Sequence, residues 1–179
     1  LLEHSARQLL SMLQSKKVSA VEVMQATLKR ISEVNSVVNA IVSLRDDDDL
    51  LSEATAADAA VDRGALHGLP IAIKDLYDAK GLATTLGSPL FTSGVATADG
   101  LVTSRLRAAG ALIIGKTNSP EFGLGSHTVN RVFGATRNPY DLARSAGGSS
   151  GGAAVALSTR MLALADGSDM MGSLRNPAA

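Results

Sequence analysis

The first 63 residues carry apolar side chains at helical spacing. Ser5 with Gln8, and Ser19 with Glu22, are capping boxes, so each pair predicts the start of a helix. After the second box, four apolar residues fall on one helical stripe: Val21, Met24, Leu28 and Ile31. We therefore expect the chain to open with two helices.

A third helix is expected before the first glycine. The acidic run 46–49 directly precedes the Ala-rich stretch 54–61, and negative charge stabilises a helix N-terminus. We interpret this run as a solvated cap and not as a metal site. Residues 38–44 fit either a short strand or the continuation of a helix, and the sequence does not separate the two.

From Gly64 onward, short apolar runs alternate with glycine-containing turns. All 17 glycines lie at or after Gly64, and all five prolines at or after Pro70. Strands are expected at 69–74, 111–114 and 162–165, and helices at 101–109 and 152–161. This alternation predicts an α/β fold with parallel pairing. We expect one domain, 1–179, in which a helix-rich region at residues 1–63 is followed by an α/β region at residues 64–179.

Composition excludes several classes of function. The 17 basic residues balance 17 acidic ones, whereas a nucleic-acid-binding protein normally has a basic excess. The chain has no Cys, and its three His residues are far apart, so we expect no disulfide, no metal site and no cysteine nucleophile. No apolar run is long enough to cross a bilayer, and the first residues lack a secretory apolar region. A cytoplasmic protein without direct nucleic-acid or membrane binding is expected.

The glycine–serine run 147–152 is the most conspicuous segment. It fits a flexible linker, or a turn whose unpaired backbone N–H groups hold an anion or oxyanion at a helix N-terminus. Its Gly-x-Ser-x-Gly pattern is also that of a hydrolase nucleophile elbow. That elbow needs a buried strand before it and a His after it. The preceding residues 138–144 are polar and contain Pro, and no His follows His127, so the elbow fits poorly.

Two single residues could also carry chemistry. Lys74 closes the apolar run 69–74, where it either reaches water beside Asp75 or is desolvated and acts as a neutral general base. Ser173 follows an apolar run and a turn. It either caps a new helix or lies among free backbone N–H groups that could stabilise an oxyanion. When each residue is considered alone, the structural interpretation is the better one: Lys74 reaches water and Ser173 caps a helix.

Four ordered motifs together resemble the amidase signature family. They are GLPIAIKD at 68–75, GKTNSPEF at 115–122, GGSSGG at 147–152 and DMMGSLR at 169–175. The resemblance covers nearly the whole chain, from the N-terminal helices to Pro177. It implies a three-layer α/β/α fold with a mixed central sheet, of which this chain is the N-terminal half preceded by helices.

The resemblance implies a Ser-cisSer-Lys triad and no cofactor. Ser173 would be the nucleophile, Ser149 the bridging serine on a cis peptide bond, and Lys74 the base. Ser173 would attack an amide carbonyl and pass its proton through Ser149 to Lys74, and water would then hydrolyse the acyl-enzyme. Supporting roles are implied for four more residues: Gly123 along the acyl pocket, Ser150 hydrogen-bonded to the triad, and Asp169 and Arg175 bracing the nucleophile turn.

An oxyanion hole is implied at the nucleophile turn. The backbone N–H groups that would form it belong to Met170, Met171, Gly172 and Ser173. The family usually has Gly where this chain has Met171, and often Thr or another small or branched residue at Met170. Backbone donors do not depend on side-chain identity, so the assignment stands as an expectation.

The function expected from the resemblance is that of an amidase, which hydrolyses a small-molecule carboxylic amide to the acid plus ammonia or an amine. Family members are longer than this chain, so we expect it to be truncated at its C-terminus and to need the missing half for a complete site. A homodimer is a further possibility.

Two alternatives remain open. One is the amidase subunit of a glutamyl-tRNA amidotransferase, but such subunits tend to carry Met-Asp-Glu-Phe where this chain has Ser-Pro-Glu-Phe at 119–122. The other is a non-catalytic relative that holds an anion on its glycine-rich turns. Binding alone would not require Lys74, Ser149 and Ser173 together.

Overall fold

The computed structural model describes residues 1–61 and 63–179. Its helices are α1 (Ala6–Gln14), α2 (Ala20–Val38), α3 (Asp47–Ala59), α4 (Leu101–Ala108), α5 (Gly151–Ser158) and α6 (Arg175–Ala178). Its strands are β1 (Ile41–Leu44), β2 (Pro70–Lys74), β3 (Leu112–Thr117), β4 (Val129–Asn130), β5 (Gly134–Ala135), β6 (Arg137–Asn138) and β7 (Asp141–Ser145). Asp62, which falls inside the predicted range 1–63, lies outside the described residues.

Both predicted capping boxes are confirmed. The Ser5 hydroxyl accepts from the backbone N–H of Gln8 at 3.3 Å, and the Gln8 side chain accepts from the Ser5 N–H at 2.8 Å. Ser19 and Glu22 make the same reciprocal pair at 3.0 and 2.8 Å. These bonds satisfy donors that a helix N-terminus otherwise leaves unpaired, which explains why α1 and α2 begin where they do.

The ambiguous segment 38–44 contains the end of a helix and then a strand. α2 ends at Val38, and Asn39 takes a left-handed conformation with φ of 53°. The Asn35 side chain accepts from the backbone N–H groups of Ala40 and Ile41 at 3.0 and 2.9 Å, so it holds the turn that leads into β1. A side-chain bond of this kind leaves no periodic signal, and for that reason the hydrophobic pattern did not resolve the segment.

The central sheet has three strands in the order β1-β3-β2. β2 runs parallel to β3 and β1 runs antiparallel to it, so the predicted mixed α/β sheet is confirmed. One face of the sheet packs against residues of α2, α3 and α5, through Ala72, Leu112 and Ile114. The other face packs against Leu106 of α4 and neighbouring loops, through Ile71, Ile73 and Ile113. Helices therefore cover both faces.

The predicted third strand at 162–165 is wrong. These residues form no strand in the structure. Leu162 is buried in the core cluster on one face of the sheet, whereas Leu164 packs against the cluster on the other face. A short apolar run can be buried by side-chain packing alone, and here it is buried without joining the sheet. The segment continues directly into the residues that approach the end of β2.

Candidate active site

Lys74 is the last residue of β2, and its side chain is completely buried. Its Nζ donates to three hydroxyl oxygens, those of Ser149 at 2.7 Å, Ser150 at 2.9 Å and Ser168 at 3.0 Å. Three is the full donor capacity of an ammonium group. The alternative in which Lys74 reaches water at the surface is therefore excluded.

The glycine–serine run is a packed turn and not a linker. Five of its six residues, from Gly148 to Gly152, are buried, and α5 begins at Gly151. The peptide bond between Gly148 and Ser149 is cis. Because α5 packs on the same face of the sheet as Ala72, its N-terminal turn lies over the end of β2. This packing brings Ser149 and Ser150 to the amine of Lys74.

Replacing Gly152 with Ala is expected to destabilise this turn. A Cβ at Gly152 would lie 2.4 Å from the backbone nitrogen of Asn118 and 2.9 Å from the carbonyl oxygen of Ala40, and backbone atoms cannot move aside cheaply. We expect a loss of about 1–3 kcal/mol in the free energy of unfolding, measured by urea denaturation. Gly94→Ala is the matched control, because its Cβ would meet nothing closer than 4.0 Å. Equal stability of the two variants would contradict this packing.

Ser150 and Ser168 connect Lys74 to the turn that carries Ser173. The Ser150 hydroxyl donates to the carbonyl of Ser168 at 3.2 Å and accepts from the Ser168 N–H at 3.2 Å. The Ser150 N–H donates to the carbonyl of Ser173 at 3.0 Å. The supporting hydrogen bonds expected of Ser150 thus reach both Lys74 and the backbone of Ser173.

Asp169 and Arg175 hold the turn that carries Ser173. The Asp169 carboxylate accepts from the Arg175 guanidinium through two contacts of 2.9 Å. It also accepts from three backbone N–H groups, of Gly172 at 2.6 Å and of Leu174 and Arg175 at 3.1 Å. The Arg175 guanidinium, with these backbone donors, holds the pKa of Asp169 well below its usual range. The carboxylate is thus a fixed anion around which the turn folds.

Of the four backbone N–H groups expected to form an oxyanion hole, one is already bonded within the turn. The Gly172 N–H already donates to Asp169 at 2.6 Å, which directs it away from an oxyanion. Within the described parts of the chain, the backbone N–H groups of Met170, Met171 and Ser173 have no hydrogen-bond acceptor. Gly172 has a φ of 113°, whereas neither methionine has a positive φ. The glycine carries the conformation that would strain a methionine.

Ser173 and Ser149 line the same pocket, which has a volume of about 550 Å³. Gly123 lines it too, with Leu76, Phe122 and the exposed side chains of Met170 and Met171. No hydrogen bond joins the hydroxyls of Ser149 and Ser173 anywhere in the described structure. The pocket therefore brings Ser149 and Ser173 together, and Ser149 in turn is hydrogen-bonded to Lys74, which lies behind the pocket and does not line it.

Burial lowers the pKa of Lys74 to about 8, and nearby Asp166 and Asp169 oppose this shift. Desolvation disfavours the charged ammonium, so a neutral amine is populated near neutral pH. Among residues 1–61 and 63–179, no carboxylate oxygen lies within 4 Å of the Lys74 amine. A direct ion pair would have stabilised the ammonium. The site thus suits an amine that accepts a proton.

Three residues near the site were not identified from the sequence. Ser168 bonds Lys74, and Asp166 Oδ1 accepts from the Lys74 backbone N–H at 2.7 Å. Asn176 Nδ2 donates to the carbonyls of Ser126 at 2.9 Å and Gly148 at 3.2 Å, so it ties α6 to the cis peptide. The only available signal for Asp166 and Ser168 was that polar residues directly follow the apolar run 162–165.

Neither a metal-binding cluster nor a membrane-spanning helix occurs in the described residues. They contain no group of three or more His, Asp or Glu side chains that could hold a metal ion. None of the helices they form combines the length and apolar character that crossing a membrane requires.

The fold and the site define an α/β protein with a buried lysine bonded to loop serines at a pocket. The Amidase family profile matches residues 22–179 of the chain. This match covers most of the sequence and includes all four motifs. The chain belongs to the amidase signature family.

Relatives of this chain include amide-bond enzymes of several kinds. It is 43% identical over 182 residues to the A subunit of glutamyl-tRNA(Gln) amidotransferase from Methylobacillus flagellatus, covering 100% of this chain and 37% of that protein. It is 34% identical to a bacterial aryl acylamidase of known structure, with a TM-score of 0.91, and the match covers 98% of this chain and 37% of that chain. It is 32% identical to 6-aminohexanoate cyclic dimer hydrolase, with a TM-score of 0.89, and the match covers 99% of this chain and 36% of that chain. The chain spans little more than a third of each relative, and the predicted fold class is confirmed.

Proposed function

We propose that this protein is an amidase that hydrolyses a carboxylic amide to the acid plus ammonia or an amine, through an acyl-enzyme on Ser173. The observation that carries the proposal is the buried amine of Lys74, bonded to Ser149 at 2.7 Å beside the pocket that Ser173 lines. A serine hydroxyl is too weak an acid to attack an amide unaided, so it needs a base of this kind.

The proton path follows from counting donors on Lys74. An ammonium donates to all three surrounding hydroxyls, but a neutral amine has two donors and one lone pair. In the neutral state one hydroxyl must reverse and donate to Nζ. Ser149 makes the shortest of the three contacts and lines the pocket with Ser173, so it is the hydroxyl that best fits this role. Its oxygen is then free to accept the proton of Ser173.

Attack by Ser173 would follow substrate binding. The hydroxyls of Ser149 and Ser173 are not bonded in the described structure, and catalytic hydrogen bonds commonly tighten only when substrate is present. The developing oxyanion would accept from the free N–H groups of Met170, Met171 and Ser173. The leaving amine would take its proton from Lys74 through Ser149, and water would then release the acid by the reverse path.

A second candidate is the amidase subunit of a glutamyl-tRNA amidotransferase. The 43% identity to the Methylobacillus flagellatus amidotransferase over the whole of this chain favours it. The Ser-Pro-Glu-Phe segment at 119–122 favours a stand-alone amidase instead. The two predict different requirements: a stand-alone amidase would hydrolyse simple aryl or alkyl amides alone, whereas the subunit of an amidotransferase would need its partner subunits for activity.

Labelling with a fluorophosphonate tests the proposal. The complete natural protein, treated with the reagent and digested, is expected to carry one adduct, located on Ser173 by mass spectrometry. An adduct on another serine would contradict the assigned nucleophile. A protein that forms no adduct would favour the non-catalytic anion-binding alternative. The cytoplasmic location and the homodimer stay predictions.

A further inference from the structure

Asp166 contacts the base of the proposed triad without belonging to it. Its Oδ1 accepts from the backbone N–H of Lys74 at 2.7 Å. Lys74 is the last residue of β2, and β2 is an outer strand of the three-stranded sheet. The carboxylate therefore takes the place of a neighbouring strand at the position where Lys74 leaves the sheet. It holds the Lys74 backbone from which the side chain extends.

Asp166 is also placed to act through its charge. The charge of Asp166 interacts with two fully buried lysines, Lys74 and Lys116. Lys116 has a nearer carboxylate of its own, since its Nζ lies 3.9 Å from Asp75. For Lys74, Asp166 is the largest electrostatic influence that favours the ammonium, ahead of Asp169. Four charged groups are thus close to Lys74. Asp166 and Asp169 act on it directly, and Lys116 and Asp75 form a neighbouring pair.

A purely structural role does not explain a carboxylate at this position. Its other oxygen, Oδ2, is buried and has no hydrogen-bond partner among residues 1–61 and 63–179. Burying a polar oxygen without a partner opposes stability, and burial raises the pKa of Asp166 for the same reason. An uncharged side chain with one acceptor oxygen would hold the Lys74 N–H equally well.

We propose that Asp166 is a positioning residue for Lys74, which fixes the end of β2 through the Lys74 N–H and sets, through its charge, the pH range in which Lys74 works as a base. This inference rests on the proposed function, because it assigns Lys74 the role of base. Without the carboxylate, desolvation of Lys74 is less opposed, so the amine loses its proton at lower pH. The acid limb of the activity profile then moves to lower pH.

The test compares Asp166→Asn with the wild type in the complete natural protein. Asparagine keeps an acceptor oxygen for the Lys74 N–H but removes the charge. We expect the acid limb of kcat/KM against pH to move down by about one pH unit. The ¹⁵Nζ resonance of Lys74, assigned by its loss in Lys74→Met, should titrate with the same shift. Asp166→Ala, which also removes the acceptor, is expected to show this shift together with a lower Tm.

Asp78→Asn is the matched control. Asp78 is exposed and acts on Lys116 but not on Lys74, so its removal deletes a charge from the same region. Its profile and Lys74 titration should match the wild type. If Asp166→Asn also titrates like the wild type, the inference about Asp166 is overturned while the triad stands. If wild-type Lys74 does not titrate in step with activity, the proposed function itself fails.

Discussion

Replacing Ser173 with Ala is expected to abolish amide hydrolysis. Removal of the attacking oxygen leaves only binding and oxyanion stabilisation, and comparable nucleophile deletions lower kcat by about 10⁶-fold. The measurement is kcat/KM for a chromogenic anilide, with the purified complete protein. Ser173 lies at the surface of a pocket and its hydroxyl makes no hydrogen bond in the described structure, so the Tm should stay near that of the wild type.

Ser104→Ala is the control for this substitution. Ser104 is exposed on α4, and its hydroxyl donates to the carbonyl of Leu101 in the same helix. This variant should keep both activity and the fluorophosphonate adduct. Turnover by Ser173→Ala within about tenfold of the wild type would show that another group makes the attack.

Replacing Lys74 with Met is expected to lower kcat/KM by about 10²- to 10⁴-fold, the usual contribution of a general base. Methionine preserves most of the buried volume while it removes the group that accepts the proton. The loss should appear in kcat, because Lys74 does not line the pocket and so has no direct contact with substrate. Steady-state kinetics over a range of amide concentrations separates kcat from KM.

Two controls protect this result from an effect of folding. Thermal unfolding of Lys74→Met shows how much of the sample is folded, and rates are expressed per folded molecule. Lys80→Met removes an exposed lysine six residues away and should leave kcat unchanged. Wild-type kcat in folded Lys74→Met at neutral pH would rule out the proton relay.

The parts of the fold that depend on local signals could be predicted from the sequence. The capping boxes at Ser5 and Ser19 fixed the starts of α1 and α2, because a cap is a contact between residues three apart. The alternation of strands and helices predicted the α/β class. The strand prediction for the apolar run 162–165 was wrong, because whether a short run joins a sheet depends on which backbone lies beside it.

The site depends on contacts that sequence spacing does not encode. Lys74 and Ser149 are 75 residues apart in sequence, and only the packing of α5 on the sheet brings their side chains to 2.7 Å. The family motifs pointed to these residues, whereas periodicity and spacing did not. Asp166 and Ser168 belong to no periodic pattern, since short polar side chains in a loop act through geometry that the fold creates.

The pH profile of kcat/KM for the wild-type protein tests most directly whether Lys74 is a neutral base. Burial lowers the pKa of Lys74 to about 8, and only the deprotonated amine can accept a proton from Ser149. We therefore predict that kcat/KM rises as the pH increases through about 8 and then levels off. A kcat/KM that stays constant from pH 6 to pH 9, a range of about three pH units that includes this pKa, would contradict the account.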